Sequence, residues 1–211
     1  MTNAELDDLE TTLRRGAAVD VDTAAEAATL SAIAAADRQG LVDVAFSVID
    51  SPVGGLLVAV TPKGLVRLAF DPEGVLEDLA ARVSPRVLEA PARLDPVRRE
   101  LDEYFDGRRQ AFDVAVNWAL TTGFRRRVLE ATARIPAGQV TTYGALAKRV
   151  GNPRASRAVG SAVGANPVAI VVPCHRVLPA AGGVGNYGGG PERKQFLLEL
   201  EHADVTTPPS S

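Results

Sequence analysis

The chain has 211 residues, 46% of them apolar and 23% charged, enough for one large domain or two small ones with a sizeable core. It has no run of about 18 uncharged apolar residues and its N-terminus is acidic (Glu5, Asp7, Asp8, Glu10), which argues against a membrane span and a signal peptide and for a cytoplasmic protein. The formal net charge of -3 argues against nucleic acid until it is divided: residues 1–90 hold 7 Lys/Arg against 15 Asp/Glu, whereas residues 119–196 hold 11 against 2. A segment so basic suits a phosphate-binding surface, although charge runs are more often only solvated faces.

Residues 1–40 read as an N-terminal extension. Ala4–Arg15 and Thr23–Arg38 can form helices, because alanine is the best helix former, but they offer few large side chains to bury. From Leu41 the period changes to two. Val42, Val44, Phe46 and Val48 alternate with smaller or polar residues, Ser51-Pro52-Val53-Gly54-Gly55 breaks the run, Leu56–Val60 resumes it, and Leu65–Phe70 follows the turn Thr61-Pro62-Lys63-Gly64. Three short strands so joined predict an antiparallel meander. Helices are expected from about Pro72 to Val83 and from Asp95 to Asp106, the second with Asp95 as cap and Gly107 as stop, and Phe112–Val116 can return to the sheet. Residues 41–118 thus read as an acidic α/β domain with an antiparallel sheet, with a linker near Asn117–Leu120.

Residues 119–202 read as mainly helical, and residues 203–211 as a flexible tail. Thr122 is placed to cap a helix to about Arg134. A short helix follows from Thr141 or Thr142 to Val150, Gly151-Asn152-Pro153 turns, and a third helix runs from about Arg154 to Val163. Two short helices around a glycine turn, the second opening with Arg154 and Arg157, match a helix-turn-helix, although glycine-linked helix pairs are also common packing units.

Val168–Val172 is apolar throughout and suits a buried strand or extended segment. It delivers Cys174, His175 and Arg176 at its end. Cys174 is the only cysteine, so an intrachain disulfide and a thiolate-rich zinc site are impossible; no metal and no cofactor is expected. A lone thiol is either a small buried hydrophobe or a nucleophile whose thiolate is favoured by a neighbouring base or charge. His175 is adjacent and would need a bridging water to reach the sulfur, while Arg176 is read as holding the loop. Residues 182–190 contain six glycines around Asn186 and Tyr187, which permits close backbone approach to a planar ligand but lacks the Lys-Ser/Thr of a phosphate loop. Pro191 opens a last helix to Glu201 with Phe196, Leu197 and Leu200 as its apolar stripe.

Five stretches in order now carry a resemblance: Ile135–Tyr143, Gly151–Gly160, Asn166-Pro167, Pro173–Val177, and Gly185-Asn186-Tyr187 with Gly189-Gly190, completed by Lys194, Leu197-Leu198 and Glu201. Residues 122–201 resemble the methylated-DNA–protein-cysteine methyltransferases, the O6-alkylguanine-DNA alkyltransferases. Leu41–Phe70 resembles the family's N-terminal ribonuclease H-like domain. The resemblance implies direct-reversal DNA repair by irreversible, single-turnover transfer of the alkyl group from O6-alkylguanine to a cysteine, with O4-methylthymine as a secondary candidate substrate. Cys174 would be the acceptor, with His175 taking its proton, Glu201 orienting His175, Asn166 tying the helix-turn-helix to the cysteine loop, and Tyr143 donating to the departing base. Arg157 would fill the stack when the base flips. The carbonyls of Cys174 and Val177 would read the exocyclic amine, and Ala155 and Gly160 would let the helix approach the minor groove. Arg154, Asn186, Tyr187, Gly188 and Lys194 complete the expected substrate- and DNA-binding set. Gly188 stands where some members have Ser, and Leu129 where members often have Trp. The implied partner is double-stranded DNA containing O6-alkylguanine, bound by a nucleoid-associated monomer with no obligate protein partner. The alternatives are a non-catalytic alkylated-DNA-binding protein, whose type replaces the acceptor cysteine, and a transcriptional regulator, for which no dimerisation module is evident.

Overall fold

The computed structural model describes residues 24–25, 27–29 and 31–205. The expected helix at Ala4–Arg15 lies outside them, as does most of the expected tail. Residues 31–38 are helical, as the alanine-rich composition favours, and the helix ends on Gly40 at φ 68. There the Gly40 N–H donates to the Asp37 carbonyl and the Leu41 N–H to the Ala36 carbonyl, both at 2.9 Å, the paired bonds of a glycine-terminated helix.

Residues 43 onward form one compact unit of their own. The expected meander is present as β1 (Val44–Ile49), β2 (Leu56–Thr61) and β3 (Gly64–Ala69), paired antiparallel. A fourth strand, β4 (Val87–Glu89), lies parallel to β1, so the sheet is mixed, with order β3-β2-β1-β4. Its three residues are too few to show an alternating pattern in the sequence. Phe112–Val116 does not become a strand. It touches the sheet edge at one bridge, where the Leu65 N–H donates to the Ala115 carbonyl and the Asn117 N–H to the Leu65 carbonyl, both at 2.8 Å.

Every residue of β2 is buried, because both faces of the central strand are covered. One face packs Leu57 and Ala59 with Val44 and Val66 against Val75 and Leu79 of helix α1 (Val75–Arg82). Leu120 joins this cluster. The stretch expected to be a linker is anchored to the sheet domain: the Arg82 guanidinium donates to the Leu120 carbonyl at 2.7 Å, and the Asn117 amide to the Thr61 hydroxyl at 2.8 Å. Helix α2 (Asp95–Phe105) carries Tyr104 on its buried side. Asp95 is the first residue of that helix and makes no side-chain cap bond, because the chain enters through a 3-10 turn at Pro91–Leu94.

The remaining elements are α3 (Gly123–Thr132), β5 (Thr141–Thr142), α4 (Tyr143–Arg149), α5 (Ser156–Gly164), β6 (Val177–Leu178) and α6 (Pro191–Leu200). The α4–turn–α5 unit is the helix-turn-helix. Thr142 caps α4 by accepting from the Ala145 N–H at 3.1 Å, and Gly151 at φ 78 turns the chain between the helices. Val128 of α3, Leu146 and Ala147 of α4, and Val159, Ala162 and Val163 of α5 share one core with Cys174 and Val177. The inward stripe of α6 differs from the expected one: Lys194, Leu197 and Leu198 are buried, whereas Phe196 is exposed. A lysine replaces an apolar residue in that stripe because its stem packs inside while its ammonium finds a carbonyl.

Candidate active site

The site begins at Asn166. Val168–Val172 does not form a strand: Val168 makes a single parallel bridge with Leu68, and the chain then turns with Ile170 at φ 67, a conformation rare for a β-branched residue. Asn166 supplies the hydrogen bonds that a strand would have sought from neighbours. Its Oδ1 accepts from the Val168 N–H at 3.0 Å, and its Nδ2 donates to the Val172 carbonyl at 2.8 Å. The same Nδ2 lies 3.1 Å from Cys174 Sγ. The turn therefore delivers the thiol, and the next three residues, Cys174–Arg176, form a 3-10 turn that leads into β6 beside β5.

Cys174 is 8% exposed and opens onto a pocket of ≈ 240 Å³ that Phe70, Val163, Ala169, Tyr187 and Gly188 also line. Burial pushes its thiol pKa up, against the opposing pull of the Asn166 and Tyr187 side chains and the Lys194 charge. At neutral pH the resting sulfur is thus a protonated thiol that needs a base. The Tyr187 hydroxyl is buried and makes no hydrogen bond of good geometry, yet it is close enough for a charge on Cys174 to help raise its pKa, after burial. Lys194 is fully buried and its Nζ donates to the Val177 carbonyl at 2.9 Å. Its expected place among DNA contacts is therefore corrected: it is an internal cation, brought down to about 8 by burial.

His175 has no exposed surface. Its Nε2 lies 2.9 Å from Glu201 Oε1, and its Nδ1 is buried with no protein partner. Burial lowers the imidazole pKa, while the Glu201 hydrogen bond and charge oppose that shift. The ring is accordingly a neutral base oriented by a carboxylate. Glu201 follows the last turn of α6 and is held by more than His175. Arg176 donates from Nε to Oε2 at 2.8 Å and from Nη2 to Oε1 at 2.7 Å, and its Nη1 bonds the Ile135 carbonyl. The Tyr104 hydroxyl donates to Oε1 at 2.6 Å. Burial alone would raise the Glu201 pKa, but the bonds and charges of His175 and Arg176 hold it down at about 2. Arg176 thus does hold the loop, and it does so through the carboxylate.

The helix-turn-helix presents the other expected residues. Arg154, in the turn, and Arg157, on α5, are exposed, and neither makes an ion pair or side-chain hydrogen bond among the described residues. Ala155 precedes α5, and a Cβ on Gly160 would lie 3.9 Å from the Tyr143 ring, so α4 and α5 are in contact there. Tyr143 is half-buried; burial and then a Cys174 charge raise its pKa. Asn186 is exposed, and Gly188 borders the pocket. The structure thus places Asn166, Tyr143, Tyr187 and Lys194 about the Cys174 thiol, joins the adjacent His175 to Glu201, and leaves Arg154, Arg157 and Asn186 at the surface.

Two residues carry no signal in the sequence. Tyr104 is 97 residues from its partner Glu201. Arg193 ties the glycine loop to the first hairpin: its Nε donates to the Val53 carbonyl at 2.7 Å, its Nη1 to the Gly189 carbonyl at 2.9 Å, and its guanidinium lies 5.3 Å from the centroid of the Phe70 ring. Among the described residues no helix is long and apolar enough to cross a membrane, and no group of three or more His, Cys, Asp or Glu is placed to hold a metal ion.

A helix-turn-helix backed by a buried Cys-His-Glu cluster and preceded by a mixed-sheet domain defines a class, and comparison with known proteins gives the same class. Residues 34–118 match the ribonuclease-like domain, and residues 123–203 the DNA-binding domain, of 6-O-methylguanine DNA methyltransferase. The methylated-DNA–protein-cysteine methyltransferase of Methanosarcina mazei is 39% identical over 160 residues, which cover 76% of this chain and 98% of that protein. The Mycobacterium bovis protein of the same name is 39% identical over 165 residues, covering 76% and 96%. The crystal structure of Mycobacterium tuberculosis OGT in complex with DNA aligns with a TM-score of 0.66 at 38% identity, over 75% of this chain and 92% of that one. That of the Mycobacterium tuberculosis O6-methylguanine methyltransferase gives 0.64 at 38% identity, over 79% and 96%. The chain belongs to the 6-O-methylguanine DNA methyltransferase family.

Proposed function

We infer that this chain repairs DNA by direct reversal, transferring the alkyl group of O6-alkylguanine to its own Cys174 in a single turnover. The observation that carries the reading is the sulfur itself: a buried thiol 3.1 Å from an amide donor, at the mouth of a pocket, beside a neutral imidazole that a carboxylate orients. His175 Nδ1 accepts the thiol proton through a water, and the imidazolium so formed faces Glu201. The thiolate, stabilised by Asn166 Nδ2, attacks the alkyl carbon. The S–C bond forms as the C–O6 bond breaks, the Tyr143 hydroxyl protonates the departing guanine, and the tyrosinate so left regains a proton from solvent. A thioether is inert to water, and the chain has no second cysteine to receive the group. One molecule repairs one lesion.

The chain binds DNA, and the finer contacts follow from α5. Its outward residues Arg157, Ala158 and Ser161 are exposed, and all but the arginine are small, which thins a helix that must fit a groove only about 6 Å wide. This favours docking in the minor groove, with Arg154 and Arg157 toward the backbone and the stack, and Asn186 and Gly188 beside the flipped base. The Cys174 and Val177 carbonyls read its exocyclic amine. The protein acts as a monomer, with residues 41–118 as a supporting domain and 119–202 as the reactive one; the cytoplasm, on the nucleoid, is its place of work.

Intact-mass measurement after incubation with excess O6-methylguanine duplex tests the chemistry. One added methyl group per molecule, mapped to Cys174, is expected, and Cys174→Ser should bind the duplex without gaining mass. Repeated turnover, or methyl on another residue, would sink the mechanism.

A further inference from the structure

Three donors converge on a single oxygen, Glu201 Oε1: His175 Nε2 at 2.9 Å, Arg176 Nη2 at 2.7 Å and the Tyr104 hydroxyl at 2.6 Å. The first two come from the reactive segment. Tyr104 comes from α2, in the domain that precedes the helix-turn-helix, so its hydroxyl carries a hydrogen bond from that domain to the reacting network. Tyr104 is 2% exposed, and its ring packs against Phe105 and Phe112 with centroids 5.3 and 5.2 Å away. Packing thus fixes the ring, and the ring holds the hydroxyl oxygen 2.6 Å from Glu201 Oε1.

We propose that Tyr104 is a positioning residue of the transfer reaction, which holds Glu201 Oε1 against His175 Nε2 and restrains how strongly that carboxylate draws on the imidazole proton. This rests on the alkyl-transfer reading for its kinetic consequence, and on the geometry alone for its effect on His175. A carboxylate oxygen shared among three donors is less basic than one shared between two. The imidazole then keeps its Nε2 proton, presents the Nδ1 lone pair toward the thiol, and gains a second proton only at lower pH. Without the hydroxyl, Glu201 would stabilise the imidazolium before the reaction begins, and the base would be spent. The other titratable groups facing His175 are Arg176 and Lys194, whose charges oppose its protonation, and Tyr187, whose ring centroid is 6.4 Å from the imidazole.

The test uses the full chain without DNA first. Tyr104→Phe keeps the ring and removes the donor. Nuclear magnetic resonance titration of the His175 ring should show its midpoint moving to higher pH, by a shift equivalent to a two- to tenfold change in proton affinity. The acid limb of single-turnover transfer should move by the same amount. Replacing Tyr104 with a ring-fluorinated tyrosine, a stronger donor of the same shape, should move the His175 midpoint the other way. Opposite shifts support the proposal even if Tyr104→Phe loses thermal stability. An unmoved His175 midpoint in both variants overturns it and leaves Tyr104 a packing residue. Loss of transfer with both titration shifts intact would instead count against the assignment of His175 as base.

Discussion

The Nδ2 of Asn166 donates at once to the Val172 carbonyl at 2.8 Å and toward Cys174 Sγ at 3.1 Å, so one amide both shapes the turn and touches the reacting atom. Asn166→Ala should therefore do two separable things. It strands a carbonyl and the Val168 N–H, which costs about 1–3 kcal/mol in denaturant unfolding. It also withdraws a donor from the thiolate, so single-turnover transfer should fall further than the stability loss accounts for at temperatures where the variant is fully folded. A variant that is destabilised but transfers at the parental rate would remove Asn166 from the chemistry.

Glu201 makes stability depend on pH. Its pKa lies at about 2 in the folded chain against an ordinary value of 4.5, so the folded state prefers the ionised carboxylate. The stabilisation is fully present above pH 4.5 and is lost as pH falls through that window, by roughly 3 kcal/mol in all. His175, pushed below its ordinary 6.5 by burial, adds a loss of the same sign that starts at higher pH, because the unfolded chain takes up that proton more readily. Urea unfolding across pH 7 to 3 should show both. Glu201→Gln should be less stable at pH 7 and should lack the steeper, lower part of the decline; an unchanged slope below pH 4.5 would contradict the assignment.

Neighbouring glycines of the pocket wall should respond differently. A Cβ on Gly189 would stand 2.7 Å from Cδ2 and 2.8 Å from Cε2 of Phe70, whereas one on Gly188 meets nothing within 4 Å. Gly189→Ala should cost about 1–3 kcal/mol and displace the loop from the pocket, lowering transfer. Gly188→Ala should leave stability within about 0.5 kcal/mol of the parent. Adding Phe70→Ala to Gly189→Ala should recover part of the loss, measured as a non-additive double-mutant cycle.

Substitution of the exposed Arg157 is a test that separates docking from base extrusion. Unstacking a base costs a few kcal/mol, less at a damaged pair, and an arginine placed in the vacated stack recovers part of it. Arg157→Ala should lower transfer from matched duplex much more than from single-stranded DNA, and least from free O6-benzylguanine, all read as single-turnover rates with the DNA substrates saturating. Equal fractional losses on all three would point to a damaged site, and an undiminished duplex rate would end the flipping role. A uniform, salt-dependent loss of DNA affinity is the signature of a plain phosphate contact.

Much of this protein is readable from local sequence, because alternating strands and glycine turns are set by neighbours along the chain. The alternation from Val42 to Phe70, the glycine turn between α4 and α5, and the Pro-Cys-His-Arg segment are local patterns, and each appears where the sequence puts it. The family stretches add the pairing of Cys174 with His175 and Glu201, since their order and offsets are linear properties. Tertiary structure decided what linear spacing cannot carry. It made Val168–Val172 a turn, because an asparagine amide satisfied the backbone that a strand would have paired. It drew Lys194 inside, since a carbonyl of β6 waited for its ammonium. It set Tyr104, from a helix almost a hundred residues earlier, on the oxygen that meets the His175 ring, and it set Arg193 across the first hairpin and the glycine loop. Which chemistry is present is written along the chain; the packing of distant elements sets how the thiol, imidazole and carboxylate are held, because buried charges are tolerated only where partners from several elements meet them.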